Sequence, residues 1–424
     1  MILIIVAVLA LCYLLIASEY FTNISKAAVA IFAGTVGWVL YACYVDVGIV
    51  QSVFLRYFGR AAEIVVFLLV TMTIVEILNN NGCFDFIRPL LKTRNSKKML
   101  WSLAIVTFVL SANLDNLTTT VMMLTLMHEL IANRRQRIIF GSAILISANC
   151  GGALTVIGEP AGLLLWNIGA VSASGFFLRM FPPCLVAWAL PILFLGRLLP
   201  ERCDTETIVM PYRGDDTRLK VWQRLLMLLV GIGGLWFIPS FRNLTQLSPF
   251  LGALCVLALL WIVNELFNHR LLASNLNQGR GVSGDLQYGV VQMILYVMGF
   301  LLAVGVVTET GAVDWFINES HAYIQNSWWM GCVAAAVSVL LDNFATAVTF
   351  FSLSPQAGAD DPYWAIIAFN AAVGGNVLAV GSIGGIAFLR MEHVRIVTYF
   401  KSVGLYALIG LVAGYCTMFL LSIL

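Results

Sequence analysis

Charge is the scarcest property of this chain: 11% of its 424 residues are Asp, Glu, Lys or Arg, against about a quarter in a soluble protein. So little polar surface cannot coat a globule of this size in water, which excludes a soluble enzyme, a secreted scaffold or a nucleic-acid binder. The nine cysteines are scattered, without a C-x-x-C pair. Most lie in apolar runs, where cysteine acts as a small hydrophobe, and this argues against a disulfide framework or a metal cluster. No basic region precedes the first apolar run, so residues 2–17 are expected to stay as a first span and not to be cleaved. Long hydrophilic connections are also missing; the longest are about 200–220 and 267–285.

What is present is apolar: 60% of residues are hydrophobic and the mean hydropathy is +0.91. Stretches near the length needed to cross a bilayer as a helix, about twenty residues, recur from end to end. Ten spans are expected, at roughly 2–17, 26–45, 61–79, 138–178, 181–200, 221–238, 248–266, 286–307, 363–389 and 396–422. Two more apolar stretches, about 98–132 and 327–354, are each interrupted by a polar cluster. The fold class is an all-α polytopic membrane protein.

The chain repeats itself. Leu114-Asp115-Asn116-Leu117-Thr118-Thr119 has a twin in Leu341-Asp342-Asn343-Phe344-Ala345-Thr346. Gly151-Gly152, Gly158 and Gly162 share their spacing with Gly374-Gly375, Gly381 and Gly385, and the segment from Gly82 matches that from Gly311. All three pairs keep their order at offsets of 223 to 229 residues, which implies two homologous halves, 1–200 and 221–424, joined by a cytoplasmic linker at 201–220. Lys97, Lys98, Arg134, Arg135 and Arg137 flank the first interrupted stretch, whereas acids flank the second. Basic residues favour the cytoplasmic side, so the two stretches are expected to be re-entrant hairpins entering from opposite faces. Five spans per half then invert the second half relative to the first. With both termini outside, all but Arg56, Arg60, Arg179 and Arg242 of the 24 basic residues fall inside. This is the architecture of an inverted-repeat secondary transporter.

Asp115 and Asp342 occupy the hairpin tips. An intramembrane carboxylate costs on the order of 2.5–3.5 kcal/mol, and no Lys or Arg lies within the hairpins or glycine-rich breaks to form a salt bridge with either. Neutral donors surround them: Asn113, Asn116, Thr118 and Thr119 on one side, Asn343 and Thr346 on the other. Such oxygens suit a hard cation, here Na+ at Asp115, Asp342 and their neighbours. The opposing walls are the breaks. Gly151, Gly152 and Gly158, with Asn149, Thr155 and Glu159, interrupt one helix; Gly374, Gly375 and Gly381, with Asn376 and Ser382, interrupt the other. Unwound carbonyls are tolerated at that depth only where they line a polar cavity. Desolvation favours a protonated carboxyl and a bound cation the ionised one, so one set of oxygens can exchange the two. Glu76 and His128 are candidate proton relays, each with a plainer reading as a snorkelling or interfacial group.

Residues 111–123 (SANLDNLTTTVMM), the break NCGGALTVIGEPAG, and LDNFATAVTFF with GGNVLAVGSIGG resemble the NhaD-type sodium/proton antiporters of the wider ion-transporter superfamily, over about 60–395. The resemblance implies exchange of Na+ or Li+ for H+ in a bacterial inner membrane, without a cofactor and as a homodimer. It also implies a scaffold domain, a transport domain carrying both hairpins, and elevator-like displacement of the latter. By position, Asp115, Asn116, Asp342 and Asn343 match the hairpin motifs. Thr118 and Thr119 match the hydroxyl pair, and Asn149, Asn376 and Ser382 match polar positions of the breaks. The chain departs from the pattern after the first break, where many relatives resemble G-D-x-T-T and this one has Gly158-Glu159-Pro160-Ala161-Gly162. The alternative is a sodium-coupled dicarboxylate or oxyanion transporter on the same scaffold. An intramembrane aspartyl protease using Asp115 and Asp342 as a dyad fits the duplicated hairpins less well.

Overall fold

A computed structural model describes residues 2–87, 91, 93, 95–203, 219–272, 284–319, 326–354 and 357–423. Lys92, Arg94, His321 and most of both long connections lie outside these residues. Helices α1 to α4 are Ile2–Ala17, Glu19–Thr22, Lys26–Ala42 and Val47–Asn80. Helices α5 to α9 are Ser96–Ser111, Asn116–Leu130, Arg134–Leu154, Pro160–Asn167 and Ala173–Leu198. Then come α10 Val221–Thr245, α11 Pro249–Leu272, α12 Gly284–Glu309 and α13 Ala312–Glu319. The chain ends with α14 Ser327–Leu340, α15 Asn343–Ser352, α16 Pro362–Gly374, α17 Ile383–Met391 and α18 Ile396–Ile423. A π-turn interrupts α10 at Leu229–Gly233 and α18 at Phe400–Gly404.

Seven of these helices, α4, α7, α9, α10, α11, α12 and α18, are long and apolar enough to cross a membrane among the described residues. The chain is an integral, multi-pass membrane protein. Helices α1 and α3, of 16 and 17 residues, stand at or just under the lower limit of about 17 residues for a span. Two expected boundaries move. The run 138–178 is not one interrupted span: α8 ends at Asn167, Gly169 takes φ +77°, and Ser172 caps a new helix. Hydropathy cannot divide a run that stays apolar through such a turn. Helix α4 begins at Val47, well before residue 61, because Asp46 caps it. Its polar first half stays helical, and Arg56 bonds Glu309 of α12 at 2.5 Å.

Short polar residues start the helices that matter here. Asn95, Asp115, Asn133, Asn326, Asp342, Asp361 and Ser382 each accept a hydrogen bond from a backbone N–H in the first turn of the helix that follows, the arrangement that ends a helix's orphan donors. Both hairpin-motif aspartates are therefore helix N-caps.

The helices sort into two groups by packing. Helix α3 packs most extensively on α12, and α1, α4, α10 and α11 complete the first group. In the second, α5 packs on α7, α14 on α16, and α9 on both α7 and α18. The groups meet mainly where α12 packs on α15 and α4 on α8. Among the seven candidate spans α7 is the most enclosed, 83% of its apolar stretch being buried, against 22% for α10 and α11 at the periphery. Helices α7 and α16, with the breaks that follow them, thus form the interior of the second group.

The duplicated motifs make duplicated contacts. Ser111 on α5 donates to the Ala148 carbonyl of α7 at 2.6 Å, and Ser338 on α14 donates to the Ala371 carbonyl of α16. Gly158 lies against the Ser111 carbonyl and Gly381 against that of Ser338, so closely that a Cβ at either would clash. Helices α4 and α12 end alike, Gly82 taking φ +66° and Gly311 φ +73°. Residues 83–86 form turns before Ile87, which is helical, while Ala312–Glu319 after Gly311 form α13.

Candidate functional site

Four chain segments converge inside the second group. The turn between α5 and α6 supplies Asp115 and Asn116, and the turn between α14 and α15 supplies Asp342 and Asn343. Helix α7 stops at Leu154 and α8 starts at Pro160, leaving 155–159 as a bent, non-helical link; α16 and α17 are separated by 375–382, which opens with a turn. Glycine and proline in these gaps explain the interruption, since neither sustains a helix interior.

A chain of side-chain amides ties the segments together. Asn116 donates to Asn149 at 3.5 Å, and Asn149 donates to Asn376 at 2.8 Å and to Ser382 Oγ at 3.2 Å. Asn343 donates its side-chain amide to Glu159, and its backbone N–H donates to the Gly381 carbonyl at 2.7 Å. Thr155 donates to the Ala112 carbonyl at 2.6 Å and accepts from the Gly158 N–H at 3.0 Å, pinning the first break to the end of α5. All these polar side chains except that of Thr155 are buried.

A small cavity, about 10 Å³, opens where the segments meet α12. Asn116, Glu159, Asp342, Asn343 and Tyr296 line its polar side, and Met293, Val297 and Ile383 its apolar side. That is room for a single water-sized species. Asp115 does not line it. Its Oδ1 accepts from the Thr118 N–H at 2.8 Å, while Oδ2 has no hydrogen-bond partner. The hydroxyls of Thr119 and Thr346 are also buried without one, and that of Thr118 lies against the Asp115 carboxylate. Orphaned buried oxygens are rare in folded proteins, and oxygens with free lone pairs beside a carboxylate suit a cation. The N-terminal ends of α6 and α15, which point at the two aspartates, add partial positive charge there.

One expectation fails at Asp342. No basic residue in the hairpins or breaks reaches it, but Lys26, at the start of α3, does: its ammonium is hydrogen-bonded to Asp342 Oδ2 in a buried ion pair. Tyr296 of α12 donates to Oδ1 at 3.0 Å, and the Lys26 ammonium lies 4.8 Å from the centre of the Tyr296 ring. Both partners come from the first helix group. Sequence reading missed them because a lysine at a span end is already explained by topology and a tyrosine in a span is unexceptional.

The candidate relays lie elsewhere. Glu76 is half-buried on α4 and does not line the cavity. His128 sits 2.6 Å from Glu392, which Arg137 also approaches at 3.2 Å. This cluster joins the end of α6, the start of α7 and the residue after α17. Glu392 was not singled out from sequence, where its neighbours made it look like a solvated end charge.

The fold and composition define a helical, multi-pass membrane protein, and sequence comparison narrows the class. The citrate-transporter family model, CitMHS, matches residues 1–374. Sodium/proton antiporter 2 of Arabidopsis thaliana is 30% identical over 416 residues, 96% of each chain. Sodium/proton antiporter 1 of the same plant is 33% identical over 368 residues, 84% of this chain and 61% of that one. The Na+/H+ antiporter NhaD of Vibrio parahaemolyticus is 24% identical over 351 residues, 77% of this chain and 82% of its own. The chain belongs to the CitMHS family and, within it, to the NhaD-type sodium/proton antiporters.

Proposed function

We propose that this protein exchanges Na+ or Li+ for H+ by alternating access of the carboxylate, amide and hydroxyl oxygens gathered at the two hairpin tips and breaks. The observation that carries the reading is the donor set. Glu159 and Asp342 face one cavity with Asn116 and Asn343, and Asp115 stands with the Thr118 hydroxyl against it, next to the orphaned hydroxyl of Thr119. Hard oxygen donors of this kind bind a bare alkali cation, and carboxylates among them can hold a proton instead. The names of the relatives support Na+ and H+ as the exchanged ions.

The finer reading is an inverted repeat with both termini outside and two re-entrant hairpins. The matched Ser111 and Ser338 contacts support it. The first helix group would act as scaffold and dimer interface, and the second would move as an elevator. The second reading, a sodium-coupled anion carrier, takes support from the family's description as citrate transporters and from Lys26. However, Lys26 is committed to Asp342, and a cavity of about 10 Å³ has no room for a dicarboxylate.

The test is dissipation of a pH gradient in proteoliposomes on adding NaCl, LiCl, KCl or choline chloride. Asn caps a helix about as well as Asp, so Asp115→Asn and Asp342→Asn remove charge while keeping the starts of α6 and α15. Response to Na+ or Li+ in the wild type and its loss in both variants is the expected outcome. Silence toward every cation, together with uptake of labelled dicarboxylate, would overturn the exchange reading in favour of the anion carrier.

A further inference from the structure

The Lys26–Asp342 pair differs from the other ion pairs described. Arg56–Glu309 and Arg224–Asp85 lie within the first helix group and Arg137–Glu392 within the second, whereas Lys26–Asp342 joins the two. It is also buried, both side chains being at most 7% exposed. A buried charge whose partner is taken away is strongly destabilised, so separating the groups while Asp342 is anionic strands two charges at once. Tyr296 grips the same carboxylate from the same side.

From this geometry we propose that Lys26 is a latch. Its ammonium occupies Asp342 as a tethered substitute for the cargo cation, and it pins the second helix group to the first whenever the site is empty. This rests on the exchange reading above. A cation arriving at Asp342 competes for the same oxygens and displaces the ammonium. Glu19 gives the displaced ammonium somewhere to go: it is buried, it interacts electrostatically with Lys26, and its Oε2 has no hydrogen-bond partner. Lys26 thus toggles between an acid on its own group and an acid on the opposite one. An exchanger needs such a rule, because a carrier that crosses empty leaks its cargo without moving a counter-ion.

The experiment uses proteoliposomes loaded with ²²Na+, with the membrane potential clamped by K+ and valinomycin. Two rates are read: Na+/Na+ exchange, and net efflux, taken as the part of the Na+ leaving into Na+-free medium that no H+ uptake accompanies, internal pH being followed with a trapped dye. Lys26→Met is expected to raise the ratio of net efflux to exchange about tenfold or more over wild type, the response to releasing a pinned state. Lys26→Arg, which keeps the cation, is expected to leave net efflux near wild type. Glu19→Gln, which removes the landing place, is expected to raise the Na+ concentration for half-maximal exchange several-fold. Exchange in Lys26→Met without extra efflux would overturn the latch, as would equal leakage from Lys26→Arg. An unchanged Na+ requirement in Glu19→Gln would overturn the toggle. Should Lys26→Met not insert, hydrogen exchange of wild-type residues 19–30 decides: faster exchange on adding Na+ supports release, and no change refutes it. A wild type without Na+/Na+ exchange counts against the transport reading itself.

Discussion

Each hairpin aspartate does two jobs with one side chain. Asp115 and Asp342 cap the helices that follow them, and the same carboxylates face the polar interior. The threonines divide more cleanly. Thr118 turns its buried hydroxyl on the Asp115 carboxylate and holds no backbone with it, while Thr155 uses its hydroxyl on two backbone groups. Thr118→Val should therefore leave thermal stability in detergent within about 0.5 kcal/mol of wild type and raise the half-maximal Na+ concentration about tenfold. Thr155→Val should lose about 1–3 kcal/mol of stability by freeing two buried backbone groups. Differential scanning fluorimetry beside a transport titration separates the two. A Thr118→Val protein with normal Na+ dependence would remove that hydroxyl from the site. The carboxylates, amides and hydroxyls were legible in the sequence, since polar groups inside apolar runs are costly and these came in matched pairs. Lys26 was not, because its partner is 316 residues away and positive-inside topology already accounted for a lysine there.

At the level of elements, what the sequence made legible was the break rather than the boundary. Glycine spacing marked both interruptions, and the structure has them at 155–159 and 375–382. The division at Gly169 was hidden because the flanking residues stay apolar, and the helical state of 47–60 was hidden because they do not. The two π-turns had no visible signal either. Ser111 and Ser338 tie each hairpin's first arm to the helix before its break, at 2.6 Å in the first case. Ser111→Ala and Ser338→Ala should each lower the stability of the folded protein by about 1–2 kcal/mol, and the double variant by close to their sum, because the bonds lie in separate units. Thermal melts of the three proteins check this. A double variant no worse than either single one would mean that the units do not melt together.

For the whole molecule, two helix groups meet at few places, and polar contacts are prominent among them. Besides the Lys26 pair, Tyr13 hydrogen-bonds Thr349, and Glu63 of α4 accepts from Asn167 at 2.9 Å. The proposed inversion of the second half makes a direct prediction. In a cysteine-free background, Lys97→Cys and Asn326→Cys, both exposed at the starts of α5 and α14, should react with a membrane-impermeant maleimide from opposite faces. Labelling from one face would make the repeats parallel. Helices α3 and α12, which carry Lys26 and Tyr296, touch backbone to backbone: a Cβ on Gly34 would meet the Gly299 carbonyl at 2.8 Å, and one on Gly299 the Ile31 amide nitrogen at 2.5 Å. The two donors around Asp342 are thereby held at a fixed span by glycines that never face the ion. Ion preference in this protein is accordingly open to tuning from a distance, because a methyl group between the two helices would reach Asp342 as a wider jaw and leave every residue of the cavity unchanged.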